Sequence, residues 1–206
     1  GQARNDEFHI GWADVLSASS LTQIRNQDTE NTVTLAPHAT PFNLKDSAAY
    51  ARWREHKLHT RPRTLDDLLL EIKDPYRLAD SEKQAIRQNC ARANFALYVV
   101  GQAEERGKAL VHALASQLDL PQPDCNFLAD EDAITSITVA AQGSRTAYIP
   151  YTQRAIRWHT DGYYNPPERT IRAMILHCAN PAVEGGENQL LDHELARHLR
   201  RRVDAE

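Results

Sequence analysis

The sequence predicts an α+β protein in which helices come first and strands follow, and three features carry that prediction. Capping residues and helix-spaced apolar residues recur between residues 46 and 118. Beyond residue 130 the apolar period moves towards two, the spacing of a strand with one buried face. Neither part contains an internal repeat or a low-complexity tract. The expected core is α+β or mainly antiparallel β with helical decoration.

Residues 1–45 are weakly patterned, rich in Gly, Asn, Ser and Thr, with Thr32–Leu35 as the one short strand expected there. We therefore divide the chain into this N-terminal segment and a domain over 46–206. Asp46 or Ser47 caps a helix through about His59, with Tyr50, Trp53 and Leu58 as apolar contacts and Pro62 as its stop. Thr64-Leu65-Asp66-Asp67 reads as the opening of a short helix over Leu68 to Ile72, ended at Asp74-Pro75. Asp80-Ser81-Glu82 starts a helix through about Ala93 that buries Ala85, Ile86 and Cys90. Phe95–Val100 is an apolar, β-rich run closed by Gly101, and predicts a buried strand. Glu104–Leu118 is the best amphipathic helix, with Leu110, Val111, Leu114 and Leu118 on one face.

Strands are expected over Ile134–Val139, Ala147–Ile149, Thr170–Cys178 and Asn188–Leu191. The turns between them are Gln142–Arg145 and the stretch from Pro181 to Gly185-Gly186. Asp192 caps a last helix, from Glu194 to about Arg202.

Composition narrows the function classes. The 206 residues are 41% hydrophobic and 25% charged, ordinary for a globular protein with a buried core. A net charge of -4 argues against a general nucleic-acid binder. The arginines at 197, 200, 201 and 202 read as the solvated end of a helix. Cys90, Cys125 and Cys178 are odd in number and form no CxxC, which points to a reducing compartment and away from a disulfide framework or zinc knuckle. No apolar run nears the roughly 20 residues of a membrane span, and the polar N-terminus has no signal core. A cytoplasmic location is the expectation.

The chemistry concentrates in Arg157-Trp158-His159-Thr160-Asp161-Gly162-Tyr163-Tyr164-Asn165-Pro166-Pro167. On an extended backbone His159 and Asp161 share a face, so an imidazole nitrogen and a carboxylate oxygen can aim at one point. Such a pair supplies two legs of the 2-His-1-carboxylate triad that holds non-haem Fe(II). His-x-Asp alone is a common sequence, but Trp158 before it and a glycine and two prolines after it suit a metal cradle at a sheet end. Tyr163, Tyr164 and Asn165 follow at once and are candidates for a substrate mouth, with rim packing as the plainer alternative.

Trp158-His159-Thr160-Asp161, then Pro166-Pro167, then the strand at 171–178, then Gly185-Gly186-Glu187-Asn188 resembles the taurine dioxygenase superfamily in order and spacing. The resemblance is strong over 157–195, looser over 94–156 and without a motif before that. It implies a double-stranded β-helix (jelly-roll) core with N-terminal helices. It also implies an Fe(II)/2-oxoglutarate-dependent dioxygenase that hydroxylates a small anionic or zwitterionic substrate. His159 and Asp161 would be iron ligands, and Asn188 would stand where the family places a threonine that contacts 2-oxoglutarate.

Two family features have no counterpart. A distal His ligand and the Arg that pairs with 2-oxoglutarate are expected far downstream, and only 45 residues follow Asp161. His177 reads as a half-buried strand histidine, and His193 and His198 read as surface residues of the last helix. The expectation is an N-terminal portion of the parent enzyme, with an incomplete jelly-roll and no complete site of its own. Its open sheet edges would favour a homo-oligomer. The alternative is a non-catalytic binding or assembly module on the same fold; metal hydrolysis is less favoured, since an open Zn2+ site wants three protein ligands. Arg145 and Arg154 are weaker candidates for contacting an anion, and ordinary surface arginines are the simpler reading.

Overall fold

The structure, a computed structural model, describes residues 7–13 as backbone, together with residues 46–101, 107–120, 123–125 and 129–196. Helix and strand are mixed, as an α+β class requires. Contacts divide the chain into two compact units, each built from segments distant in sequence. One combines β1 (Glu7–Ala13) with Asp74–Leu78 and the described part of Gln102–Asn188. The other combines the described part of Gln23–Lys73 with Ala79–Gly101 and the described part of Gln189–Glu206.

The second unit opens with helix α1 (Ser47–Thr60). Asp46 caps it, its Oδ1 accepting from the Ala49 N–H at 2.8 Å. Arg61, placed before Pro62, takes extended dihedrals and ends the helix. The buried residues of α1 are Ala49 and Lys57, not the predicted Tyr50, Trp53 and Leu58. Lys57 explains that difference. Its ammonium pairs with Asp192 Oδ2 at 2.9 Å and with Glu194, so α1 is anchored by charge more than by an apolar stripe.

The expected helix over Leu68 to Ile72 is instead strand β2 (Leu69–Ile72). Asp67 accounts for the switch. Its carboxylate accepts from the Arg63 N–H at 2.7 Å and the Thr64 N–H at 3.1 Å, which closes a turn and leads the chain out extended. These two N–H groups, Arg63 first, hold the Asp67 carboxyl below its ordinary range. Helix α2 (Asp80–Ala93) follows, with Glu82 accepting from the Ala79 N–H at 2.7 Å. Asn94 ends it with a left-handed φ of 65°. Strand β3 (Leu97–Val100) then pairs parallel with β2, and α2 packs on β2. A parallel pair needs a long crossover, and α2 supplies it. The predicted buried face of α2 is rotated: Asn89 and Ala93 are buried, whereas Cys90 is exposed. Asn89 Nδ2 donates to the Leu68 carbonyl at 3.0 Å, which draws that face onto the turn before β2.

In the first unit, helix α3 (Lys108–Gln117) buries Leu110, Val111 and Leu114, as its spacing predicts, and packs against β1 and β5. Strands β4 (Ile134–Ile137) and β5 (Ala173–Asn180) flank β1 in an antiparallel sheet of order β4-β1-β5. Along β5, Ile175, His177 and Ala179 are buried while Met174, Cys178 and Asn180 are exposed, the alternation of a half-buried strand. The β1 segment lies where the sequence reading assigned nothing. Ala147–Ile149 is not a strand: it falls across 3-10 turns at Ser144–Ala147 and Ile149–Tyr151. Asn188–Leu191 has no strand geometry either, and is exposed. Asp192 does start a helical turn over 193–196, its Oδ1 accepting from the Glu194 N–H at 3.0 Å. Thr32–Leu35, the Glu104 start of the amphipathic helix, His198 and the arginines from Arg197 onward lie outside the described residues.

A charged cluster ties α3 to the β4 side of this unit. Lys108 Nζ meets Asp130 Oδ2 at 2.6 Å and Asp132 Oδ2 at 2.9 Å, and Arg145 reaches Asp130 Oδ1 at 3.2 Å. The Lys108 hydrogen bond holds the Asp130 carboxyl below its ordinary range, with Arg145 adding to it. Partial burial pushes Asp132 up, but Lys108 and the Ile134 N–H outweigh it, and the net shift is also downward. A depressed folded-state pKa gives stability that is present above the unfolded value of 3.8 and lost as pH falls through the folded one. Acid titration of unfolding free energy should therefore show a fall beginning near pH 4, and Asp130→Asn should flatten it. The side chains are about a third exposed, so each pair is worth under about 1 kcal/mol. An unchanged acid limb in Asp130→Asn would show that the cluster is not coupled to folding.

Candidate metal centre

The segment 155–160 has no regular secondary structure, so His159 and Asp161 do not sit on a strand as the sequence reading expected. They are brought together by a turn over 161–164 instead. Asn165 closes that turn, its N–H donating to the Gly162 carbonyl at 2.9 Å and its side-chain amide to the Arg169 carbonyl at 3.0 Å. A 3-10 turn at Pro167–Arg169 follows, started by two prolines that favour its dihedrals. Arg169 fastens it to Asp124 at 2.6 Å and to the Cys125 carbonyl at 3.2 Å.

Gly162 occupies the tightest point. Its φ is +68°, a region that glycine enters without strain, and a Cβ there would stand 2.4 Å from Ile171 Cδ1. Asp161 thus enters the turn through a residue that can only be glycine without cost.

Within this frame His159 Nε2 lies 3.7 Å from Asp161 Oδ1. The other ring nitrogen, Nδ1, is 2.8 Å from the Arg157 carbonyl oxygen. A carbonyl can only accept, so Nδ1 donates to it, and Nε2 is the ring nitrogen on the side of the carboxylate. Orientation of a ligand imidazole by a backbone carbonyl at its far nitrogen is the usual support of a metal-binding histidine. Two donors each about 2.1 Å from one metal stand roughly 3 to 3.5 Å apart, so a small side-chain rotation would bring this pair to bonding distance.

The pair is open to solvent, with the side chains 50% and 44% exposed. Trp158 is exposed as well. Tyr163 and Tyr164 are exposed and stack edge to face on each other at 5.3 Å. They adjoin the pair in the chain, whereas the Asn165 amide is spent inside the turn. Asn188 Nδ2 donates to the Gly186 carbonyl at 3.3 Å, and Gly185 and Gly186 both take positive φ. Arg145 is no free surface arginine: it binds Asp130 and lies 5.2 Å over the Tyr151 ring. His177 is buried on β5 and His193 is exposed.

Among the described residues no group of three or more His, Cys, Asp or Glu is placed to hold a metal ion. His159 and Asp161 therefore fit two positions of a facial triad, and the third is not supplied there. The Arg157 carbonyl was not foreseen, because a backbone acceptor leaves no residue-type signal. The chain offers no likeness to lean on beyond this geometry: no protein-family model matches it, nor does any curated protein or solved structure.

Proposed function

We propose that His159 and Asp161 are two iron ligands of an Fe(II)/2-oxoglutarate-dependent dioxygenase acting on a small anionic or zwitterionic substrate. The third ligand lies outside the described residues, and the jelly-roll core of such enzymes belongs to this same reading. One observation carries it most: the His159 ring is held by the Arg157 carbonyl at 2.8 Å with its other nitrogen facing Asp161. That is the posture of a ligand histidine beside a ligand carboxylate. Bound Fe(II), with 2-oxoglutarate and O2, supplies the C–H oxidation in this chemistry. The chain's own residues do the rest. Asp161 brings negative charge to the metal, Arg157 fixes the imidazole, and Asn188 is a candidate donor to the cosubstrate. Tyr163 and Tyr164 offer an apolar rim with hydroxyl tips for the substrate. A binding or assembly module on the same fold is the second reading, favoured by the absence of a third donor among the described residues.

Anaerobic Fe(II) titration followed by succinate release separates them. Two protein ligands hold iron weakly, and His159→Ala or Asp161→Ala should weaken that binding at least tenfold. Succinate should appear only with a protein in which a third ligand is present. If neither substitution alters Fe(II) affinity and no succinate forms from such a protein, the enzyme reading is lost and the module reading stands.

A further inference from the structure

The loop over 161–170 carries Asp161 and is built mostly from its own short-range bonds. The Asn165 N–H donates to the Gly162 carbonyl at 2.9 Å, the Arg169 N–H to the Pro166 carbonyl at 2.9 Å, and Thr170 Oγ1 to the Pro167 carbonyl at 2.7 Å. Burial adds little, since Asp161, Tyr163, Tyr164 and 166–170 are exposed. A segment of that kind opens locally unless something outside ties it down. Gly162 seats one end closely against Ile171. At the other end Arg169 is, among the described residues of 162–170, the one whose side chain bonds outside the segment. Its guanidinium donates to Asp124 Oδ1 at 2.6 Å and to the Cys125 carbonyl at 3.2 Å, while its own carbonyl accepts from Asn165 Nδ2 at 3.0 Å. A line of hydrogen bonds thus runs from Asp124 through Arg169 and Asn165 to the Gly162 carbonyl, one residue from Asp161.

We propose that Arg169 is a positioning residue of the candidate iron centre: clasped to Asp124, it orders the turn that holds Asp161 beside His159. This role rests on the reading of His159 and Asp161 as iron ligands. Ligating groups work when held within about 0.5 Å of the productive geometry. With the clasp open, the loop pivots on Gly162, the residue type whose backbone is least restricted. The separation of His159 Nε2 and Asp161 Oδ1, 3.7 Å with the clasp closed, then spreads, and fewer molecules present both donors at once. The size of the effect is bounded by exposure. Arg169 and Asp124 are 52% and 40% exposed, so the clasp contributes no more than an exposed ion pair does, about fivefold in an equilibrium constant.

The test uses the full chain. In the metal-free protein, amide exchange followed by NMR should quicken about fivefold at Asn165 in Arg169→Gln and in Asp124→Asn, with the amides of α3 unchanged. The double variant should be no faster than either single one, since both remove the same contact. Anaerobic Fe(II) titration should show affinity falling by about the same factor. Arg169→Lys, which keeps the charge on Asp124 without the planar fork, should lie between wild type and Arg169→Gln. Unchanged Asn165 exchange in folded Arg169→Gln overturns the proposal whatever the iron data show. Faster exchange with wild-type Fe(II) affinity also overturns it, because the clasp is then a structural tie alone. If the wild-type chain binds no Fe(II) at all, the iron reading fails and the role at a metal fails with it, while the exchange data still decide whether Arg169 orders the turn.

Discussion

Lys57→Ala should lower unfolding free energy by about 3–5 kcal/mol, the usual result of removing one partner from a buried ion pair. Lys57 is 5% exposed and sits between Asp192 and Glu194. Without the ammonium, Asp192 keeps its hydrogen bond from Asn94 Nδ2 at 2.8 Å and its bond to the Glu194 N–H, but its charge stays buried at 6% exposure. Lys57→Met separates charge from packing, since methionine retains the aliphatic stem. It should recover part of the loss, and Lys57→Met with Asp192→Asn should recover more, because the second change removes the unpaired charge. Denaturant unfolding of wild type, Lys57→Met, Asp192→Asn and the double variant gives the coupling directly. A loss under about 1 kcal/mol in Lys57→Ala would mean that water reaches the network and that α1 is held in another way.

This network also marks where the sequence stopped being informative. A lysine at the centre of a helix reads as solvated, and its partners lie more than a hundred residues away. Nothing local distinguishes it from the other basic residues of α1. The same limit explains β2. Four residues, Leu69–Ile72, are too few for period to separate strand from helix, and the parallel partner that decides the matter, Leu97–Val100, lies beyond a whole helix. Caps were legible because they are local: Asp46, Glu82 and Asp192 each act within three residues of themselves. The apolar face of α3 and the alternation of β5 were legible for the same reason.

The candidate centre was legible in residue type and wrong in local geometry. His159 and Asp161 do face each other, but across a turn rather than along a strand. Strand alternation and a glycine-centred turn can both bring residues i and i+2 together, and the two-residue spacing alone cannot choose between them. What chooses is Gly162, whose positive φ ends any extended run at Asp161.

Gly162→Ala should therefore disturb the centre without touching a ligand. Alanine at a φ of +68° carries a backbone cost of about 1–2 kcal/mol. Its Cβ would also meet Ile171 at 2.4 Å from Cδ1, 2.8 Å from Cγ1 and 3.3 Å from Cβ. The isoleucine terminus can swing away, but its branched Cβ is fixed to the backbone, so overpacking adds about 1–3 kcal/mol. The expected result is a loss of about 2–5 kcal/mol where the turn unfolds with its unit, together with weaker Fe(II) binding through displacement of Asp161. Adding Ile171→Ala should return the packing share and leave the backbone share. Stability and Fe(II) affinity should then recover together but only in part. Full recovery would show that the positive φ is not strained for alanine, and no recovery would show that Ile171 gives way at no cost. Wild-type stability and Fe(II) affinity in Gly162→Ala itself would show that the 161–164 turn does not set the spacing of His159 and Asp161.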